Sequence, residues 1–320
     1  MNKTQKPILI GTSLTDDSDA VVRTGVAFAR KTGAPAWLLH AYTPYFPISS
    51  PSGIVMDPVW AAEQEKALRN LIDEQARRTG LSALPGFSAD RVRLVAGAPH
   101  QEIAALAGEI EAGYIVVGAS ETEGLLGSTA DRVIRKAACP VLAIRSESTF
   151  PPRRVEIAVD FSEISANALR QGLRLLERLG APATETEALM VLAPYETAGS
   201  LHFTRDQVQR FATEELNRFL TSNASPAMRP KLARVLTGSP RETILATLQD
   251  RQADLVVLGT HGRSGFERLM LGSVAAGVLH SATCNLLIVP PAAAEDSEEE
   301  RTDADWTYVS DEDSVVVSRS

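Results

Sequence analysis

Short apolar runs rich in Ile, Val and Leu alternate along the chain with longer amphipathic stretches. In residues 153–291 the runs fall at 154–160, 185–192, 231–237, 254–259 and 285–290, and their spacing predicts strands there. The amphipathic stretches predict helices over 164–179, 205–222, 240–251 and 273–282. Continuous runs such as Leu255-Val256-Val257-Leu258 suit strands covered on both faces, as parallel sheets require. Strand–helix alternation then implies right-handed βαβ units and a doubly wound α/β sheet. Ligands of such sheets bind beyond the carboxyl ends of the strands, where strand order reverses. The loops after Asp160, Val191 and Gly259 are therefore the places to search for chemistry.

The chain repeats itself. PILIGTSLTDDS matches RVEIAVDFSEIS at an offset of 147, and Gly33-Ala34-Pro35 falls on Gly180-Ala181-Pro182 at the same offset. GAPHQEI from Gly97 matches GSPRETI from Gly238, and the run ending at Gly118 matches the run ending at Gly259, both at 141. GSTADRVIRKAACPVLAIR from Gly127 matches GSVAAGVLHSATCNLLIVP from Gly272 at 145. Landmarks that keep their order over a whole chain mark a duplication. The copies run over 1–148 and 153–291, joined by Phe150-Pro151-Pro152, and residues 292–320 lie outside both.

Composition narrows the function classes. An apolar share of 44% with 22% charged residues is globular, and a net charge of −8 argues against a nucleic-acid binder. Ten of the 40 acids but only two of the 32 bases lie in 292–320, which leaves 30 of each in the body. The tail carries the acidity and reads as disordered. No run approaches a membrane span, Met1 to Pro7 is polar, and two cysteines make no disulfide framework, so a cytoplasmic protein is expected. Cys139 and Cys284 read as buried small hydrophobes. No metal-ligand spacing is present, so no metal site is expected. Trp37 and Trp60 read as packing residues, and 43–58 as a long loop on the ligand side of the sheet.

The loop after the fourth strand of copy two, GTHGRSGFERLMLGSV, carries the strongest chemical signal. Glycines let backbone N–H groups approach an anion, and Gly272-Ser273 opens a helix whose first turn has unpaired donors. Arg263 adds a charge partner for phosphate. By spacing alone, a tight connection with no ligand is equally compatible.

The spacing Gly259-x2-Gly262-x9-Gly272-Ser273 resembles the nucleotide-binding signature of the universal stress protein family. The run Ala158-Val159-Asp160-Phe161-Ser162-Glu163 is similar to that family's opening motif, and CNLLIVP to its last strand. Both copies carry the pattern, so residues 1–291 resemble a tandem member. The resemblance implies two Rossmann-like domains, each a five-stranded parallel sheet of order 3-2-1-4-5, arranged as an intrachain pseudo-dimer through the apolar last strands. A further homodimer stays open. It also implies ATP, with or without Mg, bound where the first and fourth strands diverge. Carried over, Ala158, Val159 and Asp160 would contact adenine and ribose, and Val191 the base through its backbone. Gly259, Gly262, Arg263, Gly272, Ser273 and Val274 would surround ribose and phosphates. Asp160 can equally serve as a helix cap or Asx turn, a role open also to Ser162. His261 has no partner base or nucleophile in the pattern and reads as a loop residue.

Copy one departs from the signature. Ser13 stands for Asp160, Glu121 for Gly262 and Thr122 for Arg263, and the interval to Gly127-Ser128 is four residues shorter. Glu121 and Glu123 would set carboxylates against phosphate. The expected function is ATP-responsive stress regulation through conformation and protein partners, from one competent site and without an enzymatic reaction. A nucleotide-independent scaffold and a slow ATPase are the alternatives, and the absence of a Walker-type lysine or a general base near the loop counts against the latter.

Overall fold

The computed structural model describes residues 5–44, 49–50, 53–54, 58–119, 129–145, 150–180, 185–194, 204–230, 232–262, 271–292, 310–311 and 314–315. Copy one runs β1 (Ile8–Gly11), α1 (Ser18–Thr32), β2 (Ala36–Tyr42), α2 (Pro58–Arg78), β3 (Val92–Ala96), α3 (Pro99–Glu109), β4 (Tyr114–Gly118), α4 (Thr129–Lys136) and β5 (Val141–Ile144). Copy two repeats the order as β6 (Val155–Val159), α5 (Glu163–Leu179), β7 (Thr186–Leu192), α6 (Arg205–Asn223), β8 (Leu232–Thr237), α7 (Pro240–Asp250), β9 (Leu255–Gly259), α8 (Ser273–Ser281) and β10 (Asn285–Val289). The strands and helices expected in copy two are all present, shifted by at most one residue at either end.

The ten strands form one sheet of order β8-β7-β6-β9-β10-β5-β4-β1-β2-β3, which is 3-2-1-4-5 in each half. Within each half the pairs are parallel; at the seam β10 meets β5 antiparallel, with Leu286 opposite Ala143, Leu287 opposite Leu142 and Ile288 opposite Val141. The apolar last strands thus cover each other's edges, as the sequence suggests. All six seam residues are buried, and full burial of a leucine or isoleucine contributes roughly 1.5–3 kcal/mol. Helices α1, α2, α5 and α6 pack on one face and α3, α4, α7 and α8 on the other, each set over its own apolar layer. Period-3.6 apolar positions explain the docking, as in Ile244 and Leu248 of α7.

The duplication extends to strained backbone. Leu14 and Phe161 have φ of 62° and 64°, and Glu111 and Gln252 have φ of 50° and 49°. α1 and α5 both end on a left-handed glycine, Gly33 and Gly180, a conformation that costs glycine little. The sequence expectation for cysteine holds for Cys284 but not for Cys139, which is half-buried because it lies in the turn between α4 and β5. Burial pushes both thiols up to about 11, so they stay protonated at neutral pH. Trp37 is half-buried beneath the Arg93 guanidinium, 5.3 Å from the ring centroid. In the segment 43–58, residues 49–50 pair antiparallel with 53–54. In the acidic tail, 310–311 pair with 314–315; the other tail residues from 293 onward lie outside the described set.

A candidate ligand cavity in the second half

β6 and β9 are neighbours in the sheet, and their chains leave it in different directions, toward α5 and α8. Between their carboxyl ends opens a cavity of about 500 Å³. Its floor is Ala158, Val159 and Asp160 from β6, with Leu189, Met190, Val191 and Ala193 from β7 and its end. Pro240 and Ile244 of α7 form an apolar wall with Leu258 of β9. Gly259, Thr260, His261 and Gly262 make the rim, and Gly272, Ser273, Val274 and Ala275 bring in the start of α8.

Nine of the ten residues singled out from the sequence line this cavity: Ala158, Val159, Asp160, Val191, Gly259, Gly262, Gly272, Ser273 and Val274. Arg263 lies outside the described residues. Pro240, Ile244, Thr260 and Ser165 were not singled out. For Pro240 and Ile244 the signal is the GSPRETI segment, where a spacing of four sets both on one helix face.

Asp160 makes the Asx turn that its position at the strand end allows. Its Oδ1 accepts from Ser162 N at 3.1 Å and Ser162 Oγ at 2.6 Å, an Asx turn, while Ser162 Oγ caps α5 by accepting from Ser165 N at 3.2 Å. Its Oδ2 lies only 2.5 Å from where a Cβ on residue 262 would stand, so only glycine fits there unmoved. Gly272 is held by the rim, its N–H donating to Thr260 O at 2.8 Å, and Thr260 N donates to Val289 O at 3.0 Å. A Cβ at Gly259 would meet Ile164 at 2.7 Å, so this glycine serves the packing of the connection itself. α8 starts without a side-chain cap, and Ser273, Val274 and Ala275 of its first turn line the cavity.

His261 Nδ1 faces Thr260 Oγ1 at 3.0 Å, and its Nε2 is buried with no hydrogen-bond partner among the described residues. Burial, with the Arg135 guanidinium of copy one, holds this imidazole below the usual histidine range. Among the described lining residues the ionisable side chains are Asp160 and His261. Among the described residues there is no group of three side chains able to hold a metal ion, and no helix is long and apolar enough to cross a membrane.

At the equivalent place in copy one, Ser13 Oγ and Thr15 Oγ1 lie 2.8 Å apart, a hydroxyl pair where copy two has Asp160 and Ser162. Glu121, Thr122, Glu123, Gly127 and Ser128 lie outside the described residues. The halves are tied by Arg145, which is buried: its Nη1 donates to Ala119 O at 2.9 Å and its Nη2 to Leu279 O of α8 at 2.6 Å. Asn285 Oδ1 accepts from Arg145 N at 3.0 Å.

Fold and cavity together define a tandem doubly wound α/β protein with a ligand-sized hollow at the strand-order switch of its second half. The model of the universal stress protein family matches residues 5–145 and again 152–290, and the chain belongs to that family. It is 26% identical over 299 residues to a universal stress protein of Mycolicibacterium smegmatis, covering 90% of this chain and 98% of the relative. A universal stress protein of Mycobacterium tuberculosis is 26% identical over 297 residues, covering 89% and 97%. The crystal structure of a universal stress protein from Archaeoglobus fulgidus shares the fold, with a TM-score of 0.63 at 17% identity over 91% of this chain and all of that one.

Proposed function

We propose that copy two binds one adenine nucleotide, ATP, and that the protein acts as an ATP-responsive regulator through its conformation and protein partners. The observation that carries this reading is the convergence of residues far apart in the chain on one hollow: Asp160, Val191, Gly262 and Gly272-Ser273. In this reading the apolar wall of Val191, Pro240, Ile244 and Leu258 takes the base, and Asp160 Oδ2 a ribose hydroxyl. The phosphates lie against the glycine rim and the first turn of α8, where backbone donors and the helix dipole favour negative charge. Mg, where present, travels with the phosphates. Recognition and response, not turnover, is the reading because Asp160 is engaged by Ser162 and, among the described residues, His261 Nδ1 has a hydroxyl, Thr260 Oγ1, beside it.

Titration calorimetry of the full chain with ATP tests this. One equivalent per chain is expected. No binding, or two equivalents, overturns a single competent site.

A further inference from the structure

On the sheet face that carries the cavity, two glutamates are buried where apolar side chains would be expected. Glu156 of β6 and Glu187 of β7 stand directly opposite each other in register, each 1% exposed. Side chains alternate along strands, so Glu156, Ala158 and Asp160 share one face, as do Glu187, Leu189 and Val191. The glutamates therefore lie at the amino ends of the strands that form the cavity floor at their carboxyl ends. Arg251, the C-cap of α7, reaches over both: its Nη1 donates to Glu156 Oε1 and, at 2.5 Å, to Glu187 Oε2. Arg234 of β8 donates to Glu187 Oε1 from the rim. On the other side, β9 presents Val256 to Glu156, and α7 contributes Ile244 and Leu248 above. Glu187, Arg251 and Arg234 are thus the charged groups facing Glu156 from the elements packed against it, and its Oε2 is buried with no hydrogen-bond partner among the described residues.

We propose that the Glu156–Glu187–Arg251–Arg234 cluster is a proton-responsive switch beneath the copy-two cavity, which holds α7 down when Glu156 is protonated and loosens it when Glu156 is ionised. Two like charges in one dry site disfavour double ionisation, and an ionised Glu156 leaves one oxygen buried without a donor. Burial, with the Glu187 carboxylate beside it, pushes Glu156 up to about 7. Helix α7 joins the two ends of the device: Pro240 and Ile244 wall the cavity, Leu248 follows one turn on, and Arg251 closes on the glutamates. A folded state that binds its proton more tightly than the unfolded chain loses stability as pH rises between the two values, here from 4.5 through about 7. The contribution is fully present below that window and gone above it.

The switch needs no bound nucleotide, so it is tested on the ligand-free full chain and stands or falls apart from the reading above. Thermal unfolding and amide hydrogen exchange are compared for the wild type and Glu156→Gln at pH 5.5 and 8. The wild-type midpoint is expected to fall between these pH values by roughly 5 °C more than that of the variant. Exchange over 240–250, corrected for intrinsic rates, should rise at pH 8 in the wild type alone. Equal pH slopes in both proteins overturn the proposal. Should Glu156→Gln fail to fold, carboxyl carbon NMR of the wild type decides: a glutamate titrating near neutrality supports the switch, and all glutamates titrating in the ordinary acidic range overturn it.

Discussion

The two halves keep one backbone and differ in what they bury. Where copy two sets Glu156 against Glu187, copy one sets Leu9 against Trp37 at the same register. Arg93 and Arg234 occupy matching places on the edge strands, opposite Leu39 and Leu189. In copy one the arginine stacks on Trp37; in copy two it pairs with Glu187. Ile110 ends α3 where Arg251 ends α7. The fold therefore accepts either an apolar or an ionic filling at the base of each half. The strained φ of Leu14 and Phe161 teaches the complementary lesson. Strain beside a candidate site invites a functional reading. Here it is present in both halves, including the one with Ser13 in the place of Asp160, so it belongs to the turn from first strand to first helix.

The sharpest way to break the comparison is to give copy two the residue of copy one. Gly262→Glu puts a Cβ 2.5 Å from Asp160 Oδ2, under any ordinary contact, and adds a carboxylate beside the proposed phosphates. ATP affinity is expected to fall at least about 100-fold, equivalent to some 2.8 kcal/mol, with the circular dichroism spectrum unchanged. Gly262→Ala brings the crowding without the charge and should fall between. A Gly262→Glu protein that binds ATP like the wild type sinks the asymmetric model.

A second variant acts on what joins the halves. Arg145 has no counterpart in copy two, where Pro290 stands at the matching place. Its guanidinium satisfies the carbonyls of Ala119 in one half and Leu279 in the other. Arg145→Ala is expected to destabilise the chain by roughly 3 kcal/mol, since both carbonyls lose a charged donor in a dry seam. Urea unfolding measures this. A loss below about 0.5 kcal/mol, the scale of a surface change, would show that water replaces the guanidinium and that the seam rests on β5 and β10 alone.

The sheet was legible because its strands are continuous apolar runs. The glycine rim was legible because backbone approach demands a residue type that can be spotted by spacing. What stayed hidden was charge placed by topology. In VEIAV and TEALMVL, Glu156 and Glu187 look like the solvent-facing members of an alternating strand. Only the register of β6 with β7 and the end of α7, some 60 residues further on, shows them to be buried together. A charge inside a strand of a doubly covered sheet is the signal that would have found them, once the second layer of helices is taken seriously. Arg145 likewise closes VLAIR as an ordinary strand-end residue. Its carbonyl partners belong to the backbone and leave no mark in the sequence.

The smallest effect expected concerns the acidic tail, which belongs to neither copy and can sharpen the difference between them. The last strand ends at Val289, whose carbonyl accepts from Thr260 N in the cavity rim, so the chain leaves the sheet beside the copy-two site. Removing 292–320 takes the formal charge from −8 to zero, because the body carries 30 acids and 30 bases. Carboxylates tethered at that exit repel a polyanion at low ionic strength, where fields reach tens of ångströms. At about 1 M salt the screening length is about 3 Å and the repulsion vanishes. Truncation should therefore tighten ATP binding about twofold at low salt and leave it unchanged at high salt. The same truncation should lower solubility near neutral pH through lost colloidal repulsion. Equal affinities with and without the tail at both salt concentrations would remove it from the electrostatics of the site. The acidic segment would then bear on the protein's solubility or its partners alone.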